Sequence, residues 1–344
     1  MRADERLDAP RLEAYLRERL PEADGPFSLA QFGGGHANLT YLVRFGASEY
    51  VLRRPPLGPV APSAHDMRRE HRVLSRLYRA FPLAPRSFLE CTDPAILGAD
   101  FHVMERRSGT VIRREIPARF DEPATCARIG EALIDTLAAL HSVDATSVGL
   151  EGLGKPEGYV ERQVEGWIRR WEAAKDRDHP YSSELIAWLR AHLPRSQAVA
   201  LVHNDYKLDN LLVDPDDPAR IVAVLDWDMC TRGDPLMDLG YLLDYWVEAG
   251  DDPDWIRAAA MPSHRPGFMR RRDAAERYAR ATGMDLGELH WYVVENLFRT
   301  IVIVAQIYIR YLRGQTQDRR FSSFGERIGL LFEKARALVA SGQI

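Results

Sequence analysis

The chain has 344 residues, and its 46 Lys and Arg against 50 Asp and Glu give a formal net charge of −4, which argues against a general nucleic-acid or membrane-surface binder. Hydrophobic residues make up 46% and charged residues 28% of the chain, a balance that is ordinary for a globular protein and argues against extensive disorder. The length favours two domains or one large two-lobed unit.

The start of the chain has no apolar run of the kind found in signal or transit peptides, so we expect a cytoplasmic protein. The longest apolar run, residues 301–309, is too short to cross a membrane and predicts a buried helix. Three scattered cysteines fit buried free thiols better than a zinc cluster or a disulfide framework: Cys91, Cys126 and Cys230. We therefore expect neither membrane nor nucleic acid among the partners.

The first hundred residues alternate short strand-like runs with turn signals, which predicts an antiparallel sheet. The predicted strands are residues 27–32, 40–45, 50–54, 87–91 and 101–105. Between the third and fourth strands, apolar side chains at helical spacing predict a helix over residues 63–81, with Ser63 and Asp66 as candidate caps.

From about Thr125 onward the apolar residues recur at helical spacing, so the second half is predicted to be mainly α-helical. The predicted helices are residues 124–141, 158–175, 183–192, 237–248, 271–282, 287–313 and 324–341. Two short apolar runs, residues 198–202 and 221–225, interrupt the helices, and each is followed at once by polar side chains.

The most informative stretch is HNDYKLDN, residues 203–210, which directly follows the first of these runs. Its His-x-Asp and its Asn five residues after the Asp have the spacing of a kinase catalytic loop, and the second run leads to Asp226. Phosphoryl transfer needs a carboxylate to deprotonate the attacking hydroxyl and oxygen ligands to hold Mg²⁺ on nucleotide phosphates. Asp205 fits the first role, and Asn210 with Asp226 fits the second. A polar turn would explain an isolated His-x-Asp but not the whole set.

These stretches together resemble the aminoglycoside phosphotransferase and choline kinase family, and most closely the kinase-like domains associated with acyl-CoA dehydrogenases. The matching segments are GGGHANLTY (33–41), VLRRPP (51–56), REHRVL (69–74), HNDYKLDN (203–210), LDWD (225–228) and GDP (233–235). The resemblance implies a two-lobed, protein-kinase-like α+β fold with an antiparallel N-lobe over residues 1–104 and a mainly helical C-lobe over 105–344. It also implies ATP and Mg²⁺ as cofactors.

The resemblance implies that the N-lobe clamps the nucleotide. Gly34, Gly35 and Asn38 lie in the loop expected to cover the phosphates, although Asn replaces the third glycine of a kinase loop and an ordinary hairpin turn would look similar. The expected hinge, whose backbone would meet adenine, is Met104, Glu105 and Arg106.

The next strand places Val51 and Arg53 on one face, because strand side chains alternate. They are the candidate adenine and phosphate contacts. Arg53 replaces the usual kinase Lys, and Glu70 is its expected ion-pair partner. Alternatively both are surface charges, or a slip of one residue brings Arg54 to the nucleotide instead.

Other polar residues around the motif have secondary roles. Lys207 either reaches the transferred phosphoryl group or stays solvated in the loop. We expect His203 to order the loop and His141 to be a packing residue. Asp228 is a candidate for assisting metal or substrate, and Asp238 is expected to be structural.

The acceptor is indicated only by charge and by the resemblance. Residues 264–344 contain 14 Lys and Arg against 8 Asp and Glu, whereas the rest of the chain has an excess of acids. The arginines that would suit an anionic ligand, unless they form a solvated helix face, are Arg270, Arg271, Arg272, Arg310 and Arg313. The acyl-CoA dehydrogenase association implies a hydroxyacyl-CoA acceptor and a functional partnership with such an enzyme.

Three other functions remain open at this level. An aminoglycoside or amino-alcohol kinase would use the same catalytic residues. A nucleotide-binding pseudokinase would explain the missing strand Lys, but Asp205, Asn210 and Asp226 are all present. A metal-dependent hydrolase using His203, Asp205 and Asp226 would leave the glycine-rich loop unexplained.

Overall fold

The computed structural model describes residues 5–33, 38–56, 66–316 and 318–344, with the backbone alone for Ala258. The strands are β1 (Phe27–Gln31), β2 (Leu39–Phe45), β3 (Ser48–Arg54), β4 (Ser87–Cys91), β5 (Phe101–Glu105), β6 (Ala200–Val202), β7 (Leu211–Val213), β8 (Ile221–Val224) and β9 (Thr231–Gly233). The α-helices are α1 (Ala9–Arg17), α2 (Met67–Leu77), α3 (Pro94–Leu97), α4 (Pro123–His141), α5 (Tyr159–Ala174), α6 (Ser182–Ala191), α7 (Pro235–Tyr245), α8 (Pro253–Ala258), α9 (Arg271–Thr282), α10 (Leu289–Leu312) and α11 (Phe324–Ser341). The predicted α+β class is confirmed.

The described residues divide into two compact units, each built from segments that are distant in sequence. The sheet unit lies within Met1–Val111, Val143–Gly152 and Asn210–Cys230, and the helical unit lies within Ile112–Ser142, Leu153–Asp209 and Thr231–Ile344. The division at residues 104 and 105 stays a prediction.

The sheet unit is organised around a five-stranded antiparallel sheet with strand order β1-β2-β3-β5-β4. Alternating side chains fill its core, and Tyr41, Leu52 and Val103 are completely buried. Helix α2 packs against β4 and β5 through its apolar stripe. It begins later than predicted, at Met67, because the Asp66 side chain accepts a hydrogen bond from the Arg69 amide at 3.0 Å. Ser63, the other candidate cap, lies outside the described residues.

The helical unit is organised around α10, which packs against α5, α7 and α11. By length and composition α10 is the one described helix apolar enough to cross a membrane, yet 67% of its apolar window is buried within the protein. The helix predicted over residues 301–309 is present, but only residues 301, 302, 304 and 305 of that run are buried, and the others are half-buried. A second pair of helices, α4 and α9, packs beside the short β6–β9 ladder, whose β6 contacts α4 and α7. All three cysteines are buried and free, as predicted.

Candidate active site

The β7–β8 hairpin of the sheet unit brings the two predicted metal ligands to the same end. Asn210 ends a 3-10 turn and directly precedes β7, whereas Asp226 lies two residues beyond the end of β8. Leu211 pairs with Val224, and the Leu225 amide then donates to the Asn210 carbonyl at 2.8 Å. Antiparallel pairing therefore brings together residues that are 16 positions apart in the chain.

Arg53 contacts Asp226 directly. Its Nη2 donates to Oδ1 of Asp226 at 2.6 Å, and its Nε lies 3.1 Å from Oε2 of Glu70, so the predicted Arg53–Glu70 ion pair is present. Burial alone would lower the pKa of Arg53, but the carboxylates of Glu70 and Asp226 raise it above its ordinary value. Arg54 instead donates to the Leu97 carbonyl at 3.0 Å. The alternative register, with Arg54 at this position, is therefore wrong.

A third carboxylate, Asp228, lies close to this pair. Burial and the neighbouring charges of Asp226 and Glu70 raise its pKa to about 7. Nδ2 of Asn38 donates to its Oδ2 at 3.1 Å, which links the start of β2 to the segment after β8. Glu70, Asp226 and Asp228 thus lie around the Arg53 guanidinium, and Nε2 of His102 also lies 3.1 Å from Oε2 of Glu70, so the carboxylates outnumber the basic groups beside them.

The donor set fits Mg²⁺. Asn210 and Asp226 offer an amide and a carboxylate, and Mg²⁺ typically takes only one or two protein ligands because water and nucleotide phosphates complete its octahedral shell. Among the described residues there is no group of three or more His, Cys, Asp or Glu placed to hold a metal ion.

The remaining candidates for contact with the nucleotide lie on β3 and β5, or directly after β5. Val51 and Met104 are cross-strand partners on β3 and β5, and both are buried. The Glu105 carboxylate accepts from the Arg86 amide at 3.1 Å, and the Arg106 guanidinium lies 5.4 Å from the Phe32 ring centroid. The adenine-contact role of this segment stays a prediction. Gly34 and Gly35 lie outside the described residues.

In the helical unit, Asp205 follows β6 and is held by two donors. Lys207 Nζ lies 2.6 Å from Oδ1 of Asp205, and the Tyr241 hydroxyl donates to the same oxygen. Burial would lower the pKa of Lys207, but the carboxylates of Asp205 and Asp209 raise it overall. Only 15% of the Lys207 side chain is exposed, so the solvated-loop interpretation of this lysine is wrong.

Asp238 on α7 anchors the backbone before Asp205. Its two carboxylate oxygens accept from the amides of His203 at 2.6 Å and Asn204 at 2.7 Å. His141 Nε2 lies 3.1 Å from the same carboxylate, and the Asp205 amide donates to Nδ1 of His203 at 3.2 Å. The structural role of Asp238 and the ordering role of His203 are thus confirmed. His141 is more than a packing residue, because it also bonds to Asp238.

Two residues of this arrangement were not predicted. Arg299 on α10 donates from Nη2 to the Asn204 carbonyl at 2.6 Å, and its guanidinium carbon lies 4.6 Å from the Tyr241 ring centroid. Asn204 has φ of +65°, a strained conformation that such contacts stabilise. Tyr241 could have been found because Asp238 lies three residues before it on one face of α7. An arginine in the middle of an apolar helix, away from the helix ends, is the corresponding signal for Arg299.

The chain is similar in sequence to phosphotransferases and to acyl-CoA dehydrogenase family proteins. Residues 28–291 match the phosphotransferase enzyme family. Acyl-CoA dehydrogenase family member 11 of Gallus gallus is 33% identical over 355 aligned residues, which cover 98% of this chain and 44% of that protein. The chain therefore spans less than half the length of this relative.

Two solved structures share the fold over almost their whole length. A Ralstonia eutropha protein, provisionally described as an aminoglycoside phosphotransferase, superimposes with a TM-score of 0.83 and 28% identity, covering 98% of this chain and 99% of that one. The aminoglycoside phosphotransferase APH(4)-Ia, in ternary complex with AMP-PNP and hygromycin B, gives a TM-score of 0.59 at 18% identity, covering 96% and 98%. The second likeness shows the fold alone.

Proposed function

The chain belongs to the phosphotransferase enzyme family and is a small-molecule kinase; from that premise we propose that it uses ATP and Mg²⁺ to phosphorylate a hydroxyl group of a hydroxyacyl-CoA. The observation that carries the ATP and Mg²⁺ part is the cluster at the end of the β7–β8 hairpin. There the Leu225 amide, next to Asp226, donates to the Asn210 carbonyl, and Arg53 joins Asp226 to Glu70. Carboxylate, amide and guanidinium groups are those that hold a metal-bound polyphosphate.

On the sheet unit, each side chain has a definite part in this proposal. Asn210 and Asp226 would hold Mg²⁺, which supplies charge neutralisation for the nucleotide phosphates when bound. Glu70 is completely buried and orients the Arg53 guanidinium. A guanidinium so oriented can donate two parallel hydrogen bonds to phosphate oxygens. Binding of the nucleotide would then share Arg53 between Asp226 and the phosphates.

On the helical unit, Asp205 would accept the proton of the acceptor hydroxyl as that oxygen attacks phosphorus. Lys207 and the Tyr241 hydroxyl hold one carboxylate oxygen of Asp205, which fixes the direction of the base. The backbone around Asp205 is held in turn by two hydrogen bonds: the His203 amide donates to Asp238, and the Asp205 amide donates to the His203 ring. Catalysis by this arrangement depends on positioning and electrostatics, as phosphoryl transfer generally does.

The acceptor part of the proposal rests on the named relative rather than on the arginines singled out from the sequence. Arg271 forms an ion pair with Asp251 at 2.6 Å, and Arg272 with Glu276 at 3.0 Å, so their charges are already compensated. The relative carries the name acyl-CoA dehydrogenase over a chain more than twice as long. A hydroxylated acyl thioester and a functional association with such a dehydrogenase are consistent with that name. A cytoplasmic location remains part of the same proposal.

A panel of acceptors tests this function. Purified protein with ATP and Mg²⁺ is offered hydroxyacyl-CoAs, sugars, amino alcohols and kanamycin-like aminoglycosides, and ADP release and phosphorylated product are measured together. We expect acceptor-dependent ADP release with hydroxyacyl-CoAs, and its loss in Asp205→Asn. Turnover of aminoglycosides without turnover of hydroxyacyl-CoAs would contradict the acceptor. Absence of any product would contradict the catalytic proposal.

A further inference from the structure

Two arginines on α5 of the helical unit converge where the helix has no side chain. A β-carbon built on Gly166 would lie 3.6 Å from Nη1 of Arg170 and 3.9 Å from Nη2 of Arg169. Both guanidinium groups therefore lie over the same glycine, and both residues are exposed.

Acidic compensation of this pair is weak: Glu165 lies close enough for the charge of Arg169 to lower its pKa, but its carboxylate is bonded to Arg190. Within the described part of the chain, neither Arg169 nor Arg170 forms an ion pair or a side-chain hydrogen bond. The acid on the same helix, Glu165, is already held by Arg190 through bonds of 2.7 and 2.9 Å. Partial burial and the positive charges of Arg299 and Arg169 lower the pKa of Arg170. The local field is thus positive and would favour an anion.

A chain of contacts connects this pair to Asp205 within the same unit. The guanidinium carbons of Arg170 and Arg299 lie 4.5 and 5.3 Å from the centroid of one ring, that of Trp167. Arg299 also lies over the Tyr241 ring, and the Tyr241 hydroxyl donates to Asp205. Asp205 acts on the pKa of Arg299, whereas the charges acting on Arg170 are those of Arg299 and Arg169. Arg170 is thus connected to Asp205 through Trp167, Arg299 and Tyr241.

We propose that Arg169 and Arg170 bind an anionic group of the phosphate acceptor, a phosphate or a carboxylate, that lies at a distance from the hydroxyl being phosphorylated. The proposal rests on the function proposed above and specifies which residues select its substrate. An acceptor that reaches both Asp205 and this pair is elongated, with its negative charge remote from its reactive end. Paired guanidinium groups match the oxygens of phosphate and carboxylate.

Three acceptors that share one hydroxyacyl group test the proposal. They are the CoA thioester, the pantetheine thioester that lacks the phosphates, and the free hydroxy acid. Arg169→Met and Arg170→Met, singly and combined, are compared with Arg336→Met, which removes another exposed arginine of the helical unit that pairs with Glu333. Methionine keeps much of the length of the side chain and removes its charge. Thermal unfolding confirms that each variant is folded.

The combined variant should raise the KM of the anion-bearing acceptor by at least about ten-fold, because hydrogen bonds to charged groups are lost. Its kcat, its KM for ATP and its KM for the pantetheine thioester should change by less than about two-fold. A shift confined to the CoA thioester identifies a phosphate, and a shift in the free acid identifies a carboxylate. An equal shift for all three acceptors, or no shift, would overturn the proposal.

Binding measurements separate this proposal from the catalytic one. Calorimetric titration with CoA and with inorganic phosphate needs no turnover and applies even if no acceptor is phosphorylated. Loss of CoA or phosphate binding in the combined variant, with binding retained in Arg336→Met, supports the anion site. The proposal would be contradicted if the wild-type protein bound neither probe and the combined variant showed no shift in the KM of any acceptor.

Discussion

The two units carry opposite electrostatic arrangements around their functional carboxylates. In the sheet unit, Glu70 and Asp226 pair with the guanidinium of Arg53, His102 Nε2 also lies 3.1 Å from Glu70, and Asp228 is close enough to Asp226 for its pKa to rise. In the helical unit, Asp205 is the carboxylate, and Lys207 and Tyr241 both donate to it. The first arrangement has negative charge left for a cation, whereas the second fixes one carboxylate by hydrogen bonds. The difference indicates metal binding in one unit and proton transfer in the other.

Loss of Asp226 should have the largest effect on turnover, because it removes the carboxylate proposed to bind Mg²⁺ in the sheet unit. Asp226→Ala should abolish the rise in melting temperature that ATP gives with Mg²⁺ over ATP alone, and should lower turnover at least about 10³-fold. Differential scanning fluorimetry with and without Mg²⁺ measures the first effect. Asp216→Ala, an exposed carboxylate on the same hairpin, is the control and should behave like wild type. Unchanged Mg²⁺-dependent stabilisation in Asp226→Ala would remove the metal assignment.

Tyr241→Phe tests the hydrogen bonding of Asp205, the proposed catalytic base in the helical unit. It removes one donor to Asp205 while keeping the ring, so kcat should fall about ten-fold with no change in the KM for ATP. Tyr245→Phe is the matched control, since its hydroxyl lies 3.4 Å from that of Tyr241 and is a weak partner. A rise in the KM for ATP with kcat unchanged would place Tyr241 on the nucleotide side instead.

Tyr241 and Arg299, which contact the catalytic loop, were harder to predict than the motif residues because they lie far from that loop in sequence. Asp205, Asn210 and Asp226 follow from local spacing and from two short strands. Tyr241 lies 36 residues from Asp205 and Arg299 lies 95 residues from Asn204, so packing of α7 and α10 decides their contacts. Periodicity predicted α10 within two residues of its observed ends, because its apolar pattern is long. Helix α1 was missed because only Leu12 and Leu16 of its residues are buried.

Arg53→Lys should have a smaller effect, and it tests whether Arg53 is the β3 arginine that contacts the nucleotide phosphates. A single ammonium group cannot match the planar fork that reaches both Glu70 and Asp226, so the KM for ATP should rise by about three- to ten-fold. Steady-state kinetics at saturating acceptor measures the change. Arg54→Lys is the neighbouring control, because Arg54 contacts the Leu97 carbonyl. A larger effect from Arg54→Lys than from Arg53→Lys would contradict the assignment of Arg53 to the phosphates.

Glu295 on α10 provides a test in stability rather than activity. Its carboxylate is completely buried, and burial raises its pKa to about 7 from an ordinary value of 4.5. Between pH 4.5 and 7 the carboxyl of Glu295 ionises in the unfolded chain but stays protonated in the fold. The free energy of unfolding therefore falls as the pH rises to about 7, and it stays lower above that pH. Glu295→Gln should therefore increase the free energy of unfolding at pH 8 by roughly 1–3 kcal/mol and change it little at pH 4.

Urea unfolding of Glu295→Gln across this pH range measures the effect, with Glu288→Gln at the exposed start of α10 as the control. A stabilisation of equal size at pH 4 and pH 8 would show that packing rather than ionisation is responsible.

The single-turnover rate of Asp205→Asn at saturating Mg²⁺ and ATP tests the division of labour between the units most directly. Titration with a non-hydrolysable ATP analogue first establishes saturation. We expect this variant to bind the nucleotide within about three-fold of wild type and to transfer the phosphoryl group at least about 10²-fold more slowly. A wild-type transfer rate, or a loss of nucleotide affinity as large as that of Asp226→Ala, would contradict this division of labour.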